Sequence, residues 1–384
     1  MQFLVLGAGL QGSACAYDLL GQPDVERVVL ADRVTAALPP YLQPYAEDPR
    51  LVRIELDARD DASVREAMGG VDACLNALPY LFNLRMARLA VGAGVHYADL
   101  GGNTAMVFEQ LELDEAARAS GICVIPDCGL APGLVNVLAA AAIREMDSTE
   151  RVRIYVGGLP EEPRPPLDYH IVYSIEGMLD YYTTPSWVLR GGRLRQVDAL
   201  TGVEPVTFPL PIGVLEAFHT GGGLSVLPWT YEGRIPTMEY KTLRYPGHAA
   251  IVRAIRDLGL FDIEPVRVGG QEIIPRQVFI ACAEPHLKAR PDERDFVAAR
   301  VEVEGRRDDE RASIIFELID HFDTDTGISA MARTTGFSLS ITGMFMVSGR
   351  IDTVGAMTPD RCVPADDYVA ELGKRGVVVR RVTA

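Results

Sequence analysis

The chain is 384 residues long and carries 37 basic against 53 acidic side chains, a net charge of −16. That length suggests two domains with sizeable cores. The charge makes nucleic acid and anionic membrane poor partners, because both are bound by clustered Lys and Arg.

The most informative stretch comes first. An apolar run, residues 3–6, leads into Gly7-Ala8-Gly9-Leu10-Gln11-Gly12 and then into residues 13–20, which read as a helix. Strand, glycine turn and helix in that order form a dinucleotide-binding fingerprint. Gly7 permits the tight turn, Gly9 lets the backbone approach a pyrophosphate, and Gly12 lets helix and strand pack closely. Leu10 and Gln11 open the helix, whose free N–H groups favour phosphate. A second strand, 27–31, ends in Asp32, twenty residues after Gly12. A carboxylate there accepts from ribose hydroxyls and repels a 2′-phosphate, so NAD is favoured; the adjacent Arg33 is the feature that NADP would use. Residue 3 already starts the first strand, so no N-terminal signal is expected, and a cytoplasmic enzyme is the expectation.

Strands then alternate with helices. Residues 51–56 make strand three, 60–68 a short polar helix and 71–75 strand four. Residues 82–93 form a helix with Leu84, Ala87, Ala90 and Val91 on one face. Strand five spans 95–98, a helix 111–119 and strand six 122–125. Six strands with helical crossovers predict an α/β, doubly wound Rossmann domain. Beyond Pro132 the pattern changes to alternating strands at 151–156, 169–173, 278–281 and 297–303, which predicts an inserted α+β domain. Residues 331–348 read as an apolar helix returning to the first domain. The expected division is 1–127, 128–328 and 329–384.

Ligands of an open parallel sheet lie beyond the carboxyl ends of its strands. Asp57 could reach the adenine, or else serve as a helix-capping acid. Asn76, Leu78, Pro79 and Tyr80 should run beside the nicotinamide ribose and the substrate. Asp99 and Asp127 end the next strands and point toward the transfer site, with turn bracing as the other reading. From the second domain, Arg244 offers a fork for a carboxylate, and His248, His219 and Glu176 stand in polar, glycine-flanked stretches. The six cysteines show no C-x-x-C or other metal-ligand spacing, so no metal site is expected.

The stretches VLGAGLQG (5–12), NALPYLFN (76–83), HYADLGG (96–102), IPDCGLAPGLVN (125–136), YVGGLPEEPRPPLDY (155–169), YSIEGMLDYYTTP (173–185), LEAFHTGGG (215–223), YKTLRYPGH (240–248) and MARTTGF (331–337) resemble the saccharopine dehydrogenase-like family. Within it they are most similar to the L-lysine 6-dehydrogenases. The resemblance implies a Rossmann domain with an inserted α+β substrate and oligomerisation domain, a homo-oligomer, and NAD-dependent oxidation of the ε-amino group of L-lysine. The products would be 2-aminoadipate 6-semialdehyde and ammonia. It also leaves open the saccharopine-type enzymes, which act on a secondary amine. For a lysine-type substrate, Arg244 would take the α-carboxylate. Glu176, Tyr80 and Asp127 would add substrate contacts, and Asp99, His219 or His248 would move the protons. Rival readings are an acylating semialdehyde dehydrogenase with Cys128 as nucleophile, and a nucleotide-binding regulator without turnover.

Overall fold

Short apolar runs closed by a glycine or an acid become the parallel sheet of the first half. In the computed structural model, which describes residues 1–34, 37–171, 174–290 and 293–383, these are β1 (Gln2–Leu6), β2 (Arg27–Asp32), β3 (Leu51–Glu55), β4 (Ala73–Asn76), β5 (His96–Asp99) and β6 (Cys123–Ile125). Their order is β6-β5-β4-β1-β2-β3, every neighbouring pair parallel. Helices cover both faces, so Phe3, Leu4, Val5 and Leu6 are all buried without alternation. The strand order reverses between β1 and β4, and there the carboxyl ends open onto a crevice. Register aligns Leu6 with Asn76 and Asn76 with Asp99, so the loops that follow share one edge.

The apolar helix near the C-terminus spans Ala330–Val347 and is buried nearly all round. It lies against the helix Leu10–Leu20 and against β4 and β5. Two glycines permit the approach: a Cβ on Gly336 would sit 2.7 Å from the Gln11 carbonyl oxygen, and one on Gly343 would sit 2.8 Å from Leu75. Gly355–Ala356 then adds a seventh parallel strand beside β6. The chain's last strand, Val379–Thr383, instead pairs with Glu310–His321 in the second sheet, so the C-terminal segment contributes to both sheets.

That second sheet is mixed. Its main path runs Glu204–Thr207, Val214–His219, Thr237–Arg244, Ser148–Pro160, Asp295–Arg307, Glu310–His321 and Val379–Thr383. Neighbours are antiparallel except Thr237–Arg244 and Ser148–Pro160, which run parallel. Alternation divides its side chains. Val152, Ile154, Val156, Met238, Tyr240, Val297 and Ala299 join the core shared with the Rossmann half. Tyr155, Leu159, Leu215, Ala217, Leu243 and Phe296 form a separate cluster on the other face.

Three sequence expectations are corrected. Residues 278–281 are not a strand but part of the helix Pro275–Leu287, because four apolar residues alone do not distinguish a buried strand from one helical turn. Of the strand expected at 169–173, residues 172 and 173 lie outside the described residues, and Ile171 makes only an isolated bridge to Lys288. The helix expected at 111–119 is two helices, Thr104–Leu111 and Asp114–Ala119.

Candidate functional site at the carboxyl edge of the parallel sheet

The glycine turn has the form that a dinucleotide requires. Gly7 adopts φ 95°, and a Cβ on Gly12 would overlap the Gly7 carbonyl oxygen, so neither position accepts a side chain. Gly9 faces open space and is the N-cap of the helix Leu10–Leu20 with no side-chain cap, which leaves the first N–H groups, among them those of Leu10 and Gln11, available to an anion. Asp32 Oδ2 accepts from the Ala8 amide at 2.7 Å and Oδ1 from the Val34 amide at 3.3 Å, which fixes the carboxylate beside the turn. These residues fit a dinucleotide whose ribose lies on Asp32.

Asp57 is half-buried and engages Arg59 bidentately, 2.6 Å at its shortest. The hydrogen bonds from Arg59 hold its carboxyl well below the usual range. The capping acid of the helix Asp61–Ala67 is Asp60 instead. Asp57 therefore does not cap, and its carboxylate is already partnered.

The next turns carry corrections. Asn76 is fully buried, donates to Asn83 at 2.9 Å and to the Tyr97 hydroxyl at 3.0 Å, and accepts from the Leu78 amide. It braces the turn that presents Leu78 and Pro79 and does not itself reach a cofactor. Asp99 is likewise fully buried. Its oxygens accept from Gln110 Nε2 at 2.6 Å, the Gly101 amide at 2.7 Å and the Asp127 amide at 3.2 Å. Burial raises its pKa, against those donors. A carboxylate so enclosed ties two loops together and is no proton carrier for a substrate.

Asp127 differs. It has φ 63°, a conformation costly to a residue with a Cβ, and its Oδ2 accepts from the Ser225 hydroxyl. Its Oδ1 lies against Gly101, where a Cβ would overlap it, and the Gly102 amide favours the ionised form without making a well-formed hydrogen bond. Burial above all, with the Asp99 and Asp360 carboxyls adding, pushes its pKa up to about 8. Ser225 itself has φ 50°.

Next to this pair opens a cleft of about 270 Å³. Tyr80 and residues 102–105 line it from the Rossmann half; Asp180, Tyr181, Thr184, Trp187, Gly221, Gly222, Leu224 and Ser225 line it from the other. Asp180 accepts from the Tyr80 hydroxyl at 3.2 Å and pairs with Arg276 at 2.6 Å, so both halves meet on one carboxylate. Asp180 and Tyr181 follow Glu176 by about one turn on the helix Ile175–Thr183. Glu176 itself is exposed and does not line the cleft. Helical spacing from Glu176 was the signal that could have found Asp180; nothing in the sequence marked Ser225 beyond its place after three glycines.

The second-domain histidines are also corrected. His248 is buried between Tyr182, whose hydroxyl lies 3.0 Å from Nε2, and the Leu167 carbonyl, 3.0 Å from Nδ1. A carbonyl only accepts, so Nδ1 carries the proton and Nε2 receives the Tyr182 hydrogen bond. Burial, with Arg244 nearby, pushes the imidazole down to about 3. It is neutral, with both nitrogens partnered, and does not shuttle protons near neutral pH. His219 lies on the other face of the sheet, opposite Lys241 in the register and 3.7 Å from Glu239. Burial and Lys241 lower its pKa. Arg244 is buried beneath the helix Ile175–Thr183, 4.5 Å over the Tyr169 ring and beside Tyr182, outside the cleft lining. Cys128 is buried, donates to the Ile125 carbonyl at 3.2 Å and is raised by burial, the opposite of an activated nucleophile. Among the described residues no group of three or more His, Cys, Asp or Glu could hold a metal ion, and no helix is long and apolar enough to cross a membrane.

Comparison with known proteins bears on both halves. A family model described as the saccharopine dehydrogenase NADP binding domain matches residues 3–125, and one described as the saccharopine dehydrogenase C-terminal domain matches 129–377. Saccharopine dehydrogenase (NADP+, L-glutamate-forming) of Pyricularia oryzae is 26% identical over 223 residues, 55% of this chain and 48% of that protein. The chain thus spans about half the length of the curated relatives it matches. Apo saccharopine dehydrogenase (L-Glu forming) from Saccharomyces cerevisiae superposes with a TM-score of 0.79 at 21% identity, covering 100% of this chain and 99% of that one. A homospermidine synthase from Legionella pneumophila in complex with NAD gives 0.71 at 11% identity, covering 100% and 91%. At these identities the two structures establish the shared fold.

Proposed function

The chain belongs to the saccharopine dehydrogenase family, and on that premise we propose that it is a nicotinamide-dependent oxidoreductase acting at a carbon–nitrogen bond of an amino acid. The observation that carries this is the cleft at the carboxyl edge of the parallel sheet, on the same edge as the glycine turn and lined by polar groups of both halves. Residues 7–12 and Asp32 would hold the dinucleotide, which supplies the hydride acceptor or donor. Asp180, which lines the cleft and is held in place by Arg276, offers a carboxylate to a substrate ammonium.

The first reading for the substrate is a secondary amine of the saccharopine type, in keeping with the names of the relatives. The second is the terminal amine of L-lysine, supported by the motifs of residues 155–169 and 240–248. For the cofactor, Asp32 speaks for NAD, while the relatives' names and the exposed Arg33 speak for NADP.

One assay tests all of this. Reduced nicotinamide is followed at 340 nm with saccharopine or L-lysine, each with NAD and with NADP, and ammonia is measured in parallel. Turnover with saccharopine and no ammonia supports the first reading. Stoichiometric ammonia from lysine replaces it with the second. No turnover with either amine, despite cofactor binding, overturns the proposed activity.

A further inference from the structure

Two residues in costly backbone conformations touch each other beside the cleft, Ser225 in its lining and Asp127 behind it. Among the described residues six non-glycine positions have positive φ, and Asp127 and Ser225 are two of them. They come from different halves of the chain: Asp127 follows β6, and Ser225 follows closely on Gly221 and Gly222, which line the cleft. Strain persists where the surroundings over-determine it, and it gathers at functional sites. Ser225 lines the cleft and its hydroxyl donates to the buried Asp127 carboxyl, so the residue stands between the open cleft and the buried acid. Among the described residues, the groups that bear most strongly on Asp127 are Ser225, Asp99, Asp360, Cys128 and Tyr181, and none of these is a cation.

Resting on the oxidoreductase reading above, we propose that Ser225 and Asp127 form a proton relay, with Ser225 the group that meets the substrate amine and Asp127 the buried store behind it. In the oxidative direction a substrate ammonium N–H bond breaks and its proton passes to Ser225 Oγ. The serine's own O–H proton passes to Asp127 Oδ2 in the same step. The substrate is left as a neutral amine, able to lose hydride, and Asp127 as a neutral acid. In the reductive direction the same protons return. The couple suits both directions because burial without a cation brings the carboxyl's ionisation close to the working pH. Asp127 acts through Ser225 and is a positioning residue; Ser225 is the catalytic one.

The test has two readouts, one of which needs no turnover. Asp127→Asn and Ser225→Ala are compared with the parent, first by Tm across pH 4 to 9. A carboxyl raised in the folded state keeps its proton while the unfolded chain loses it. Its stability contribution is therefore fully present below the unfolded pKa and lost as pH rises toward the folded one. The parent should lose Tm relative to Asp127→Asn between about pH 4 and 8, and Ser225→Ala should keep the parent's slope. In the second readout, oxidative kcat/KM of Asp127→Asn should fall about 100-fold at pH 8. The deficit should shrink toward pH 10, where the amine deprotonates unaided. Ser225→Ala should fall at least about tenfold with cofactor affinity unchanged. Parallel Tm curves for the parent and Asp127→Asn overturn the proposal, as does a parental pH–rate profile in either variant. If the parent turns over neither amine, the oxidoreductase reading fails, and the Tm curves alone decide whether Asp127 stores a proton.

Discussion

The carboxyl edge of the parallel sheet and the strand pair Val214–His219 with Thr237–Arg244 both carry candidate residues, yet they sort them differently. In the parallel sheet, chain order and position coincide: every loop after a strand arrives at the same edge, so Gly7, Asp32, Asn76, Asp99 and Asp127 converge there. In the antiparallel pair the sorting is by face. Register sets His219 against Lys241 and Glu216 against Arg244, an odd spacing on each strand, so His219 and Arg244 lie on opposite faces. Glu216, on the face of Arg244, accepts from the Gly247 and Ala249 amides and holds the start of the helix His248–Asp257. Residues that look like one cluster in the sequence are thus divided among a cap, a buried aromatic cage and a charged outer face.

The comparison breaks most readily at the glycine turn. Gly12→Val should reduce NAD(P) affinity by on the order of 100-fold, because the side chain meets the Gly7 carbonyl and displaces the turn; calorimetric titration measures this. Affinity within about threefold of the parent would place the dinucleotide elsewhere. Asp99→Ala comes next. It leaves the Gly101 and Asp127 amides and Gln110 Nε2 without an acceptor, and should destabilise the fold by about 3 kcal/mol, read as a lowered Tm. A variant of parental Tm that lacks turnover would return Asp99 to the chemistry.

The smallest effects are expected from the histidines. His248 is pushed down to about 3 in the fold, against an ordinary value of 6.5, so the unfolded chain takes up its proton first as pH falls. Its stability contribution is present above about 6.5 and lost as pH falls toward 3. The Tm advantage of the parent over His248→Gln should therefore narrow from pH 7 to pH 4. His219→Gln, on the opposite face of the sheet and outside the cleft lining, should leave kcat/KM and its pH profile within about twofold of the parent. A lost acid limb in His219→Gln would mean that the outer face takes part in the chemistry.

By itself the sequence determined the parallel sheet, the returning C-terminal helix and the dinucleotide turn. These follow from local facts: short apolar runs, an apolar helix, and glycines where a side chain would collide. It also brought Asn76, Asp99 and Asp127 to one edge, since strand ends are legible from hydrophobic periodicity. Only the tertiary structure separated these three. Two are saturated with hydrogen bonds, and one meets a serine from the other half of the chain, nearly a hundred residues away. It alone brought Asp180 and Ser225 to the cleft and turned His219 from it. Whether a buried carboxyl braces a loop or holds a mobile proton depends on the donors that fold around it, and those arrive from distant parts of the chain.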